Sequence, residues 1–151
     1  MLLTGTHPRT LDEKKRLALP RRIREQLGGI NRLYITQGQD QCLWLYGPAE
    51  LEKLAEKIDQ SPATDKEVRD FRRLFFAGME ETDIDRNARI LIPERLIQFA
   101  GLRHEVVLLG VRDRLELWDK GRWEAYLDKN ASRFDAAAEG AFQRGNWQRN
   151  R

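Results

Sequence analysis

The sequence predicts an α+β fold with a mainly β core, in which two copies of one small β-α-β unit interlock with pseudo-twofold symmetry and carry peripheral helices. Three observations predict it. One long motif occurs twice in the same order. Each copy reads as a turn, short strands and one brief helix, which leaves strand edges and an apolar face that a second copy can cover. The length, 151 residues, suits two small units that share one core better than two that fold alone.

The repeat begins with Leu11-Asp12-Glu13-Lys14-Lys15-Arg16-Leu17-Ala18-Leu19-Pro20, echoed by Ile84-Asp85-Arg86-Asn87-Ala88-Arg89-Ile90-Leu91-Ile92-Pro93. The shared pattern is an apolar residue, Asp-x-x-x-Arg, three apolar residues and Pro. Asp12 to Arg16 and Asp85 to Arg89 lie between extended segments, so each spans a tight turn whose Asp side chain can accept turn amides. Pro20 and Pro93 suit the first position of a helix, where a missing N–H costs nothing. Gly28 and Gly101 suit the residue just past its end, where φ is often positive. A helix of about two turns fits between them. Paired strands then follow in each copy, Leu33-Tyr34-Ile35 with Leu43-Trp44-Leu45-Tyr46, and Val106-Val107-Leu108-Leu109 with Leu115-Glu116-Leu117-Trp118.

An amphipathic helix follows each pair. Leu51, Leu54, Ala55 and Ile58 keep a helical spacing behind Pro48 and Glu50, and Trp123, Tyr126 and Leu127 do the same in the second copy. Asp65 to Met79 reads as a connecting helix with Val68, Phe71, Leu74 and Phe75 on one face, expected to be core. The expected division is a first repeat with its helix over 5–59, the connecting helix over 60–79, a second repeat with its helix over 80–128, and a loose basic tail over 129–151. Ala136 to Ala141 is compatible with helix, and Trp147 in the tail has no assigned place.

Composition narrows the function classes. Hydrophobic residues are 40% and charged residues 34%, which describes a globular chain with a charged surface. No apolar run approaches the roughly 20 residues of a membrane span, and the first residues lack a secretory pattern, so a cytoplasmic protein is expected. Cys42 is the single cysteine, which excludes an internal disulfide and a cysteine-rich zinc site. His7 and His104 stand at non-equivalent places without triad or metal spacing. Asp83 and Asp85 alone make a poor metal site, and Gly28-Gly29 reads as a helix end rather than a phosphate loop. No catalytic residue, metal, cofactor or small-molecule substrate is expected. The net charge is only +3, but residues 1–24 hold seven basic residues against two acidic ones, so positive charge gathers at the N-terminal end.

The paired Asp-x-x-x-Arg turns with their Pro-led helices resemble the MraZ family of bacterial regulators. So do Cys42-Leu43-Trp44-Leu45-Tyr46, Arg72-Arg73-Leu74-Phe75-Phe76-Ala77-Gly78 and Leu115-Glu116-Leu117-Trp118-Asp119-Lys120-Gly121-Arg122-Trp123. The similarity runs from about Gly5 to about Leu127. It implies a tandem AbrB-like swapped-hairpin β-barrel, ring-shaped homo-oligomers, nucleoid association, and sequence-specific binding to repeated DNA elements upstream of division and cell-wall genes. It also implies that Arg16 and Arg89 contact DNA and that Asp12 and Asp85 are the acidic members of the turns. The family usually has Gly just before the motif arginine, where this chain has Lys15 and Ala88. A positive φ there would cost about 1–2 kcal/mol. The turn is then either rearranged, with Asn87 left-handed in the second copy, or its φ is not positive.

These residue types suit the expected partner, double-stranded DNA. Arginine's planar fork can hold guanine O6 and N7 together or grip a phosphate, whereas lysine offers charge alone. Base reading therefore falls to Arg16 and Arg89, and phosphate contact to Lys14, Lys15 and Arg86, with Arg9, Arg21, Arg22 and Arg24 as flanking candidates for DNA binding. The plainer reading, that each Asp–Arg pair only holds its hairpin, is compatible with a DNA role. Arg86, Arg89, Arg95 and Arg103 against Asp83, Asp85 and Glu94 make the second copy less basic, so the first turn is expected to dominate. The rival to a DNA-binding role is an antitoxin-like or other protein-interaction module of the same fold, with Trp118, Trp123 and Tyr126 as its surface.

Overall fold

The computed structural model describes residues 1–145 and divides into two units, Met1–Lys120 and the residues from Gly121 onward. In the first unit, β1 (Leu3–Thr10) leads through the first turn to β2 (Arg16–Ala18) and helix α1 (Arg21–Leu27). The hairpin β3 (Arg32–Gln37) and β4 (Leu43–Tyr46) follows, then α2 (Pro48–Asp59) and α3 (Lys66–Phe76). The second copy repeats the order with β5 (Glu80–Asp83), β6 (Arg89–Leu91), α4 (Glu94–Ala100), β7 (Glu105–Arg112) and β8 (Leu115–Asp119). Helix α5 (Lys120–Asn130) comes next.

Six strands form one antiparallel sheet in the order β1-β7-β8-β4-β3-β5, and β2 pairs with β6 in a separate ribbon. The order is a palindrome of the two copies. β1 of the first copy pairs with β7 of the second, and β5 of the second pairs with β3 of the first. The register obeys the same symmetry: Arg9 faces Val106, and its repeat counterpart Thr82 faces Leu33. Each copy thus covers the other's strand edge, which a lone unit would leave open. Among the described residues no ladder joins β1 to β5, and the strands group as the six-stranded sheet and the two-stranded ribbon. The chain leaves both end strands for a turn, and its next strand pairs within the ribbon.

The core draws on both copies at once: Leu17, Ile23, Leu33, Leu43 and Leu45 from the first, and Ile90, Leu96, Leu108, Leu115 and Leu117 from the second, are all buried. Gly5 lies opposite Gly110 in the β1–β7 pair, and a Cβ on Gly110 would collide with the main chain at Leu3 and Thr4. Glycine there is a packing requirement. Pro20 and Pro93 stand one residue earlier than expected, as the residues capping α1 and α4, while Gly28 and Gly101 have positive φ of 66° and 60° as the pattern anticipates.

Two expectations need correction. On α3 only Phe75 is buried, whereas Phe71 and Leu74 are exposed. An amphipathic stripe shows which face a helix can bury, and here that face is wider than the body beneath it. The stretch expected to be a loose tail is helical over Phe134–Arg144, α6, after one turn of 3-10 helix at Ala131–Arg133. Four alanines supply the helix propensity. In this second unit Trp123 stacks on Tyr126, one helical turn away, with ring centroids 5.4 Å apart. Trp147 lies outside the described residues.

Candidate nucleic-acid interface

The two Asp-x-x-x-Arg turns are built alike, bond for bond. In the first, the Asp12 carbonyl accepts from the Lys15 N–H at 3.0 Å, and the Arg16 carbonyl accepts from the Asp12 N–H at 3.0 Å. Asp12 Oδ1 takes the main-chain N–H groups of Lys14 and Arg16, each at 2.9 Å, while Oδ2 takes Arg16 Nε at 2.8 Å. In the second, Asp85 Oδ1 takes Asn87 N–H at 2.8 Å and Arg89 N–H at 2.9 Å, and Oδ2 takes Arg89 Nε at 3.2 Å. One carboxylate therefore shapes the turn with one oxygen and aims the arginine with the other. Held by Nε, each guanidinium keeps its terminal nitrogens for a further partner.

The ribbon sets the turns side by side. Leu17 faces Ile90 at its centre, Arg16 faces Leu91, and Ala18 faces Arg89. The two turns also bond across the copies, Leu19 N–H to the Ala88 carbonyl at 2.8 Å and Ile92 N–H to the Lys15 carbonyl at 2.9 Å. Arg89 Nη1 comes within 4.0 Å of Asp12 Oδ2. Both arginine side chains are 29% exposed, enough to be reached and enough to be held. Lys14, Lys15 and Arg86 are exposed on the turns. Arg9 is placed differently, near the end of β1, with Nη1 on the Pro8 carbonyl at 2.7 Å. Arg21 and Arg22 are exposed on α1.

The conformation of the turn is now settled. Lys15 and Ala88 themselves adopt the left-handed region, with φ of 63° and 62°, and Asn87 does not. Both alternatives raised by the missing glycines are thereby overturned. The carbonyls of these residues bond to the opposite copy, which holds them in place despite a cost of about 1–2 kcal/mol each. Glycine at such a site removes that cost but adds about 0.5–1 kcal/mol of unfolded-chain entropy. Ala88→Gly is therefore expected to raise the melting temperature by roughly 2–4 °C without altering ligand binding, and a lower melting temperature in calorimetry would refute the strain assignment.

Electrostatics follows from the same bonds. The Arg16 main-chain N–H, with the Arg16 side chain and the Lys14 N–H, holds the Asp12 carboxyl below its ordinary 3.8 against a smaller opposing effect of burial. Asp85 is lowered likewise, first by the Arg89 N–H. A carboxylate whose folded pKa is depressed contributes stability that is present above the unfolded value and is lost as pH falls through the folded one. On acidification from about pH 5 to about pH 2, the native chain should lose more thermal stability than Asp12→Asn/Asp85→Asn, measured by melting curves across that range. Parallel decline of the two would separate the turns from the acid response.

Among the described residues no cluster of three or more His, Cys, Asp or Glu side chains is placed to hold a metal. Asp83 is 3.2 Å from Arg32. The Cys42 thiol is buried and donates to the Gln39 carbonyl at 3.2 Å, and burial pushes its pKa up to about 12, so it is an unreactive packing residue. Among the described residues no helix is long and apolar enough to cross a membrane. What the linear pattern missed is beside the first turn. A cleft of about 420 Å³ joins Asp12, Glu13 and Lys15 to Leu102, Arg103 and His104, which belong to the second copy. The repeat alone assigns those three residues to the other turn.

The family model of the MraZ protein, whose description also contains the term antitoxin-like, matches this chain twice, over residues 2–74 and 75–145. A protein of Saccharopolyspora erythraea named Transcriptional regulator MraZ is 41% identical over 138 residues, 91% of this chain and 95% of that protein. Its namesake in Acetivibrio thermocellus is 43% identical over 129 residues, covering 85% and 89%. The one in Clavibacter michiganensis is 39% identical over 139 residues, covering 91% and 95%. These relatives are named as regulators, not enzymes. With both copies matched by one family model and relatives aligned along almost the whole length, this chain belongs to the MraZ family.

Proposed function

We propose that this chain is a transcriptional regulator that binds double-stranded DNA in a sequence-specific manner through the paired turns, with Arg16 and Arg89 reading bases and Lys14, Lys15 and Arg86 holding phosphates. The observation that carries the reading is the pair of arginines, each fixed through Nε by its own turn aspartate and set side by side by one ribbon. Pre-oriented forks lose little freedom on meeting a base edge or phosphate. The names of the relatives support regulation of transcription. The cross-copy pairing of β1 with β7 and of β5 with β3 supports the AbrB-like swapped-hairpin reading of the fold.

One subunit offers few phosphate contacts, and DNA affinity accumulates with their number. A ring-shaped homo-oligomer presenting many such turns to repeated elements gains avidity through effective concentration. The resemblance puts those elements upstream of division and cell-wall genes, in a cytoplasmic, nucleoid-associated setting. The test is a salt titration of binding to the DNA upstream of the chain's own gene and to a scrambled duplex of equal length. Tighter binding to the upstream DNA at every salt concentration is expected, and equal affinity for both would reduce the interaction to charge attraction.

A protein-interaction module is the second reading. A specific feature favours it: Phe71, Leu74 and Phe75 on α3, with Trp44 and Phe99, line an open apolar groove of about 230 Å³. The same titration separates the readings, since an interaction module has no reason to prefer one duplex.

A further inference from the structure

We propose that Arg103, carried by the second copy and held by Asp119, is a third DNA-phosphate contact working with the first turn. It rests on the reading of the turns as DNA contacts and adds a residue that the turn motif does not contain. The topology brings it there. The β1–β7 ladder sets Thr10 opposite Glu105, and the Leu11 N–H donates to the His104 carbonyl at 2.9 Å. The segment after α4 therefore lies against the first turn, and Lys15 and Arg103 line one cleft. His104 shares that wall, and the acidic groups near it are Asp12, Glu13 and Glu105, the last 3.8 Å from Lys120.

Arg103 is both held and open. Its main-chain N–H and Nε each donate to Asp119 Oδ1 at 3.2 Å, and Nη2 donates to Oδ2 at 3.2 Å, while the side chain stays 77% exposed. Asp119 is buried. A main-chain N–H and an Nε anchored on one carboxylate is the same device that aims Arg16 and Arg89. Asp119 acts here as a positioning residue.

An exposed arginine over a buried carboxylate could serve only to neutralise it. The first copy argues otherwise, because it solves the same corner without charge. The counterparts of Arg103 and Asp119 are Ile30 and Gly47, which meet so closely that a Cβ on Gly47 would come within 2.9 Å of Ile30 Cδ1. The second turn accordingly lies against Asn31, with the Ile84 N–H on the Asn31 carbonyl at 2.9 Å. The fold can be closed by either pair. At this corner the charged pair stands beside the more basic turn, where it adds a cation next to the expected phosphates.

The experiment uses the full chain and the upstream and scrambled duplexes, with affinity measured across a range of salt. The variant Arg103→Ile/Asp119→Gly installs the first copy's own solution, and Arg103→Gln removes the charge while leaving Asp119 a donor. Each is checked for native melting before use. The slope of log affinity against log salt should become shallower by about 1, with the same proportional weakening on both duplexes. An unchanged slope in either folded variant overturns this inference and leaves the paired-turn reading standing. Loss of sequence preference without a change of slope also overturns it, as Arg103 would then be reading bases. If the native chain fails to bind DNA, both proposals fall together.

Discussion

Arg16→Ala is expected to weaken binding to the upstream DNA by about 1–3 kcal/mol and to relax sequence preference, with a smaller loss for Arg89→Ala. Both arginines are aimed alike, so the difference comes from their surroundings. Arg16 follows Lys14 and Lys15, whereas Arg89 follows Asn87 and Ala88. Arg16→Lys keeps the charge and loses the fork, so it should restore the salt dependence but not the preference. Anisotropy titrations of the variants on both duplexes measure this. Unchanged binding by Arg16→Ala with abolition by Arg89→Ala would reverse the ordering.

Leu17→Ala should be the most damaging change to the ribbon, at about 2–5 kcal/mol of unfolding free energy. Leu17 is fully buried at the centre of the β2–β6 pair, opposite the equally buried Ile90, and both turns hang from that pair. A cavity there should loosen both turns at once, so DNA binding falls with stability although no contact residue is altered. Leu91→Ala on the exposed side of the same ribbon, where the side chain is 55% exposed, is expected to stay within about 0.5 kcal/mol of the native chain. Urea unfolding of the two variants gives the comparison. Similar losses at both sites would mean that the ribbon is not the keystone of the turns.

The features legible in the sequence are those with short-range causes. Asp12 and Asp85 announce their turns because an aspartate accepts amides two and four residues ahead, a relation contained within the motif. Pro and Gly bracket α1 and α4 through their own backbone preferences, and an error of one residue at Pro20 and Pro93 is the usual uncertainty of a helix end. The left-handed φ at Ala88 was not legible, because what holds it is a hydrogen bond from Leu19, far away in the chain. Phe71 and Leu74 read as core from the sequence and are exposed, because periodicity shows a face and not what lies against it.

The exchange of strands had the largest consequence for the candidate site. Counting charge along the chain assigns Arg103 to the second turn, whereas the pairing of β1 with β7 delivers it to the first. The first turn thus gains an arginine that the linear count gives to the second. Composition cannot reveal this, since the repeat shows that two units match and leaves open which edge each one covers.

A DNA-facing surface made of the two turns should be shielded by bound DNA. Hydrogen exchange of the full chain with and without the upstream duplex tests it most directly, read on peptides covering residues 11–17 and 84–90 against those covering α3. Slowed exchange in both turn peptides, stronger in the first, with α3 unchanged by DNA, is the predicted result. Protection centred on Phe71 and Leu74 with the turns unaffected would contradict it.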